Sequence, residues 1–68
     1  MSITKDFGDN LKKIRLNKGL TQEQLATLSK LHRTYISDVE RGSKNISLNN
    51  IEKISKALKI SIRELFSI

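Results

Sequence analysis

Between Gln22 and Arg41 the sequence runs QEQLATLSKLHRTYISDVER, and its spacing calls for two short helices joined by a tight turn. Thr21 opens the first, because its hydroxyl can accept from a backbone N–H left over at the helix start, and Gln24 three residues on completes a reciprocal capping box. Leu25, Ala26 and Leu28 are expected to turn inward, and the helix to end near Ser29. Ala26 is small where this helix must pass close to the next, while Leu25, Leu31, Ile36 and Val39 fix the crossing angle. Leu31 begins the second unit. There Ile36 and Val39 lie three apart on the buried side and leave Arg33, Thr34, Ser37, Asp38 and Arg41 on the other face. Gly42 stops the helix, since a left-handed end costs glycine no steric penalty. The result is a helix-turn-helix in which one helix face carries basic and hydroxyl groups with no packing duty.

Upstream, a helix from about Thr4 to Lys18 buries Phe7, Leu11 and Ile14 on one stripe, with Gly8 weakening it modestly and Gly19 at its left-handed end. Downstream, Ser43-Lys44-Asn45-Ile46 reads as a loop and Ser47 as the cap of a fourth helix carrying Leu48, Ile51, Ile54 and Leu58. Ser61 and Glu64 form the capping box of a fifth that ends in Leu65 and Phe66. Proline is absent, glycine occurs only three times, and no stretch alternates apolar and polar residues for long. The expectation is an all-α chain of five short helices forming a single domain over residues 1–68, without linker, repeat or low-complexity segment.

A chain of 68 residues buries only roughly 60% of the surface its unfolded form exposes, which leaves no room for a cofactor cleft beside a core. Without cysteine there is neither disulfide nor thiolate metal site, and a lone histidine, His32, cannot build an all-histidine one, so no metal or cofactor is expected. Neither a membrane span nor a secretory signal fits the start MSITKDFGDN or any later stretch, so a soluble intracellular protein is expected. Thirteen basic against seven acidic residues give a net charge of +6, which favours a polyanionic partner through counterion release. No paired acid and base, and no nucleophile beside a base, supports catalysis.

Ile14-Arg15, Gly19-Leu20-Thr21-Gln22, Leu25-Ala26, Tyr35-Ile36-Ser37 and Val39-Glu40-Arg41-Gly42 together resemble the lambda-repressor-like (XRE-type) family of bacterial and phage regulators over essentially the whole chain. That resemblance implies a five-helix fold with the helix-turn-helix as its second and third helices. The run His32 to Ser37, with Glu40-Arg41 and Ser43-Lys44-Asn45, is most similar to the controller proteins of restriction-modification systems. These are small dimers that first switch on and later shut off their own gene and that of the endonuclease. A chain ending at Ile68 without a second domain fits a controller better than a large cleavable repressor. Two positions depart from the family pattern. Lys30 stands at the turn where glycine is usual, which implies a lysine at positive φ, and Ile46 stands where many members have proline, which leaves the loop less restrained.

The resemblance also implies roles. Arg33, near the start of the recognition helix, can donate two parallel bonds to guanine O6 and N7, and Thr34 and Ser37 can meet a base edge, a thymine methyl or a phosphate. Asp38 either accepts from cytosine N4 or orients a neighbouring arginine. Gln22 and Tyr35 are expected on the phosphate backbone, and Lys44 on a phosphate or in the minor groove. Arg15 and Glu40 form a structural ion pair bracing the first helix against the third. His32 is a helix-start residue, and Lys12, Lys13 and Lys18 a solvated face that steers DNA at long range. At the C-terminus Ile60, Ile62, Leu65, Phe66 and Ile68 exceed what one short helix can bury; Leu65 goes to the core, and Ile62 and Phe66 are the expected dimer interface. The implied partners are a pseudo-palindromic double-stranded operator, a second copy of the chain and RNA polymerase, in the cytoplasm. A phage-type repressor, or an antitoxin-like module that binds a partner protein, are the rival readings.

Overall fold

Four of the five helices begin at a serine or threonine that closes its own first turn. In the computed structural model, which describes residues 2–68, these are α1 (Ile3–Asn17), α2 (Gln22–Ser29), α4 (Leu48–Leu58) and α5 (Ile62–Leu65); α3 (Arg33–Arg41) is the exception. Ser2, Thr21, Ser47 and Ser61 each accept from the backbone N–H three residues on. At Thr21 and Ser61 the partners Gln24 and Glu64 bond back to the cap N–H, so both expected capping boxes are present. No strand occurs among the described residues.

The first four helices end alike. A residue with positive φ lies just past the last turn: Gly19 (71°), Lys30 (59°), Gly42 (79°) and Lys59 (57°). The following N–H then reaches back to a carbonyl five residues earlier, as in Leu31 N–H to Ala26 O at 3.0 Å and Ser43 N–H to Asp38 O at 3.0 Å. Leu20, Leu31 and Ile60, which follow three of these residues, pack against the core. Leu31 is therefore the staple that ends α2, and α3 starts two residues later than it. Lys30 is left-handed, as its place in the turn implied. Replacing it with glycine removes the Cβ conflict at that φ and is expected to stabilise the fold by a few tenths to about 1 kcal/mol in urea unfolding. A destabilisation exceeding about 1 kcal/mol would show that the lysine is not strained there.

Phe7 and Leu11 of α1, Leu25 and Ala26 of α2, Ile36 and Val39 of α3, Ile51, Ile54 and Leu58 of α4, and Leu65 make one buried cluster. Ile14 is only half-buried at its edge, and Arg15 takes the enclosed position beside it. Two leucines expected inside are outside. Leu28 is 55% and Leu48 82% exposed. On α2 the buried arc is Leu25, Ala26 and Ser29, with the Ser29 hydroxyl donating to Leu25 O at 2.8 Å, and Leu28 falls beyond that arc. At the head of α4, Ile46 reaches the core from the preceding loop, and Leu48 lies past the end it closes. Ile46 thus ties down a loop that lacks the family's proline.

Gly8 proves to be a packing requirement as well as a weak helix residue. A Cβ built there would lie 2.3 Å from the Val39 carbonyl oxygen and 2.7 Å from that of Glu40, so α1 and α3 cross with backbone against backbone. This crossing sets where α3 stands. Among the described residues no helix is long and apolar enough to cross a membrane.

Candidate nucleic-acid interface

Under the outward face of α3 lies a buried charge cluster. Arg15 Nε donates to Glu40 Oε2 at 2.6 Å and its second terminal nitrogen to Glu40 Oε1 at 3.0 Å, a bidentate pair whose side chains are 7% and 3% exposed. The remaining terminal nitrogen of Arg15 donates to Leu20 O at 2.7 Å, which anchors the segment leading into α2. Gln22, at the first position of α2, donates from Nε2 to Glu40 Oε1 at 3.0 Å. One carboxylate therefore links α1, α2 and α3. A primary amide carries two N–H bonds, so Gln22 keeps a second donor, held in orientation by Glu40, for an anion at the start of α2.

On α3, Arg33 and Thr34 occupy the first two positions and are exposed. His32 precedes them as the cap residue without a side-chain hydrogen bond, and no acid lies in the first turn. The leading N–H groups of this helix are thus left to solvent or a ligand. One turn on, Ser37 and Asp38 are half-buried and share a partner that sequence reasoning placed on this face but gave no role: Arg41 donates to Ser37 Oγ at 2.8 Å and pairs with the Asp38 carboxylate. The acid is thereby neutralised by its own helix, so the face as a whole stays basic, and Arg41 holds Ser37 in one orientation.

Two more groups flank the face. The Tyr35 hydroxyl accepts from Asn50 Nδ2 at 3.0 Å and donates to no acceptor among the described residues, which leaves its proton for a phosphate. Asn50 was missed from sequence; its only signal is its place three residues after the cap Ser47, on the turn of α4 that faces α3. Lys44 is exposed in the loop after Gly42. That loop is pressed against α1, because a Cβ on Gly42 would sit 2.7 Å from Lys5 Cα. Gln22 and Arg33 line one hollow, with Thr34, Tyr35, Ser37 and Asp38 following along α3, whereas Lys44 lines a different hollow beside α1 together with Ile3, Phe7 and Phe66.

Ile62, at the start of α5, and Phe66, just past its end, are 45% and 41% exposed, and Phe66 lines the same hollow as Lys44. One side of Phe66 packs on Phe7 with ring centroids 5.0 Å apart. Asn10 fastens this end by donating to Glu64 O and Leu65 O at 3.1 and 2.8 Å, a contact across more than fifty positions with no local sequence mark.

The chain matches the helix-turn-helix family HTH_3 over residues 11–65. It is 57% identical over 60 residues to the control protein C.BamHI of Bacillus amyloliquefaciens, covering 87% of this chain and 74% of the relative. It superposes on the restriction-modification controller protein C.AhdI of Aeromonas hydrophila with a TM-score of 0.92 at 52% identity, covering 93% of this chain and 96% of that one. C.Esp1396I bound to a 25 base pair operator site gives a TM-score of 0.87 at 44% identity, covering 97% and 87%. With its five helices, its motif on α2 and α3 and these matches along nearly its whole length, the chain belongs to the lambda-repressor-like helix-turn-helix family and stands among its restriction-modification control proteins.

Proposed function

We propose that this chain is a sequence-specific DNA-binding transcriptional regulator, the controller of a restriction-modification system, which binds its operator as a homodimer and regulates its own gene and that of the endonuclease. The observation that carries this is the outward face of α3, where exposed Arg33 and Thr34 precede Ser37 and Asp38 already ordered by Arg41. Such a helix end enters the major groove, while Gln22, Tyr35 and Lys44 hold phosphates on either side. The relatives' role as controllers, and the operator bound by C.Esp1396I, support the assignment. The site of action is the cytoplasm, at the nucleoid, and activation requires contact with RNA polymerase as well as DNA.

Footprinting upstream of the protein's own gene tests the whole assignment, and two variants separate base reading from charge attraction. Arg33→Ala is expected to lose roughly 1–3 kcal/mol of preference for guanine at one position in each half-site while keeping most nonspecific binding. Lys44→Ala is expected to weaken all sequences alike and to lower the salt slope by about one unit for each phosphate left without its lysine. If Arg33→Ala weakens operator and random DNA equally, base reading belongs to Thr34, Ser37 or Asp38.

The exposed sides of Ile62 and Phe66 supply the apolar patch for a two-fold interface. The operator then carries two inverted half-sites with centres roughly 34 Å apart, one helical turn. Ile62→Asp or Phe66→Asp is expected to give a folded monomer by sedimentation that protects one half-site. Sedimentation of the unaltered chain as a monomer, free and on DNA, would remove the dimer.

A further inference from the structure

Leu28, expected to face inward, is instead 55% exposed, and it borders a groove of about 380 Å³ between the C-terminal halves of α2 and α4. Leu28 and Ala57 give the groove an apolar wall, and Lys30, Lys53, Lys56 and Lys59 surround it. Of these four lysines Lys56 pairs with Glu52 at 3.9 Å, and among the described residues the ammonium groups of Lys30, Lys53 and Lys59 form no ion pair. The two lysines held at positive φ, Lys30 and Lys59, both border this groove. At each, glycine would relieve backbone strain but remove the charge.

From this charge pattern we infer that the groove is a docking site for an acidic segment of a partner protein, one whose carboxylates meet the four lysines and whose leucine-sized side chain covers Leu28. At roughly 1.5 Å per residue, Leu28 lies about 9 Å from Gln22 along α2 and Lys53 about 4.5 Å from Asn50 along α4, and Lys30 stands in the turn before α3, so the groove adjoins the proposed DNA face but shares no residue with it. An apolar wall inside a basic rim suits a peptide carrying both charge and an apolar side chain, and a phosphate backbone gains nothing from it.

The test uses the full chain and a short fluorescein-labelled peptide of aspartate, glutamate and leucine, read by fluorescence anisotropy, with amide chemical shifts to locate it. The peptide is expected to shift Leu28, Lys30 and Ala57, with those of Arg33 and Thr34 unmoved. Lys53→Glu with Lys56→Glu is expected to weaken it roughly tenfold or more, as is Leu28→Ser, and changing the peptide's leucines to alanine to do the same. Oligomeric state stays as in the unaltered chain, and so does the salt slope of operator binding, since no phosphate contact is lost. Shifts confined to the α3 face, equal binding by all variants, or a shallower salt slope of operator binding in the charge-reversed chain, which would make the groove a DNA contact, each overturn the inference. A change of oligomeric state in that chain would likewise overturn it, by making the groove an interface between copies.

Discussion

Glu40→Ala is expected to lower the free energy of unfolding by roughly 3–5 kcal/mol, because it leaves the Arg15 guanidinium enclosed with no counter-charge. Both side chains are nearly sealed from water, at 7% and 3% exposure, so solvent cannot replace the carboxylate. Stability of ordinary domains amounts to about 0.05–0.15 kcal/mol per residue, which for 68 residues is a total of roughly 3–10 kcal/mol. The loss takes about a third or more of the stability at the upper end of that range and all of it at the lower end. Glu40→Gln keeps one acceptor in place and is expected to fall between the two. Replacing both partners, Arg15→Met with Glu40→Leu, removes the buried charge altogether and is expected to be more stable than either single change. Urea unfolding followed by circular dichroism measures all four. A loss below about 1 kcal/mol in Glu40→Ala would mean that water reaches Arg15, and the pair would then be an ordinary surface one.

Local signals in the sequence were enough for the starts of α2, α4 and α5, the left-handed ends at Gly19 and Gly42 and the motif itself, but not for the Ser2 cap, the start of α3 at Arg33 or the left-handed Lys59. Thr21 with Gln24 and Ser61 with Glu64 are contacts within one turn, and each appears where its spacing places it. The stripe of Ile36 and Val39 leaves one face of α3 bare for the same reason: helical period alone decides it. What else was illegible is what depends on a second element. Leu28 and Leu48 satisfy the helical period loosely, and only the position of neighbouring helices shows that Ser29 and Ile46 take the enclosed places. Gln22 could be placed at the start of α2, but its bond to Glu40 joins residues eighteen apart. Asp38 left two options open; the free protein takes the one in which it pairs with Arg41.

Gly8→Ala shows how far such a non-local contact can reverse a local expectation. In an isolated helix the change is favourable by about 1 kcal/mol, since alanine loses less backbone entropy. In this fold the added Cβ would lie 2.3 Å from Val39 O and 2.7 Å from Glu40 O. Both are main-chain atoms in the last turn of α3, so no rotamer change relieves the clash and the helices must separate. Overpacking a core typically costs about 1–3 kcal/mol, occasionally more, and a backbone neighbour puts this case at or above the upper end. A net loss of about 2 kcal/mol or more is therefore expected, opposite in sign to the helix propensity. Separation also moves Glu40 away from Arg15 and tilts α3 against Gln22 and Asn50, which present the flanking groups. Operator affinity should then fall by more than nonspecific affinity in the fraction that remains folded, because base contacts depend on the angle of α3 and phosphate attraction does not. Urea unfolding checks the sign, and titrations of operator and random DNA check the split. If Gly8→Ala is as stable as the parent and reads the operator equally well, α1 and α3 do not cross in backbone contact.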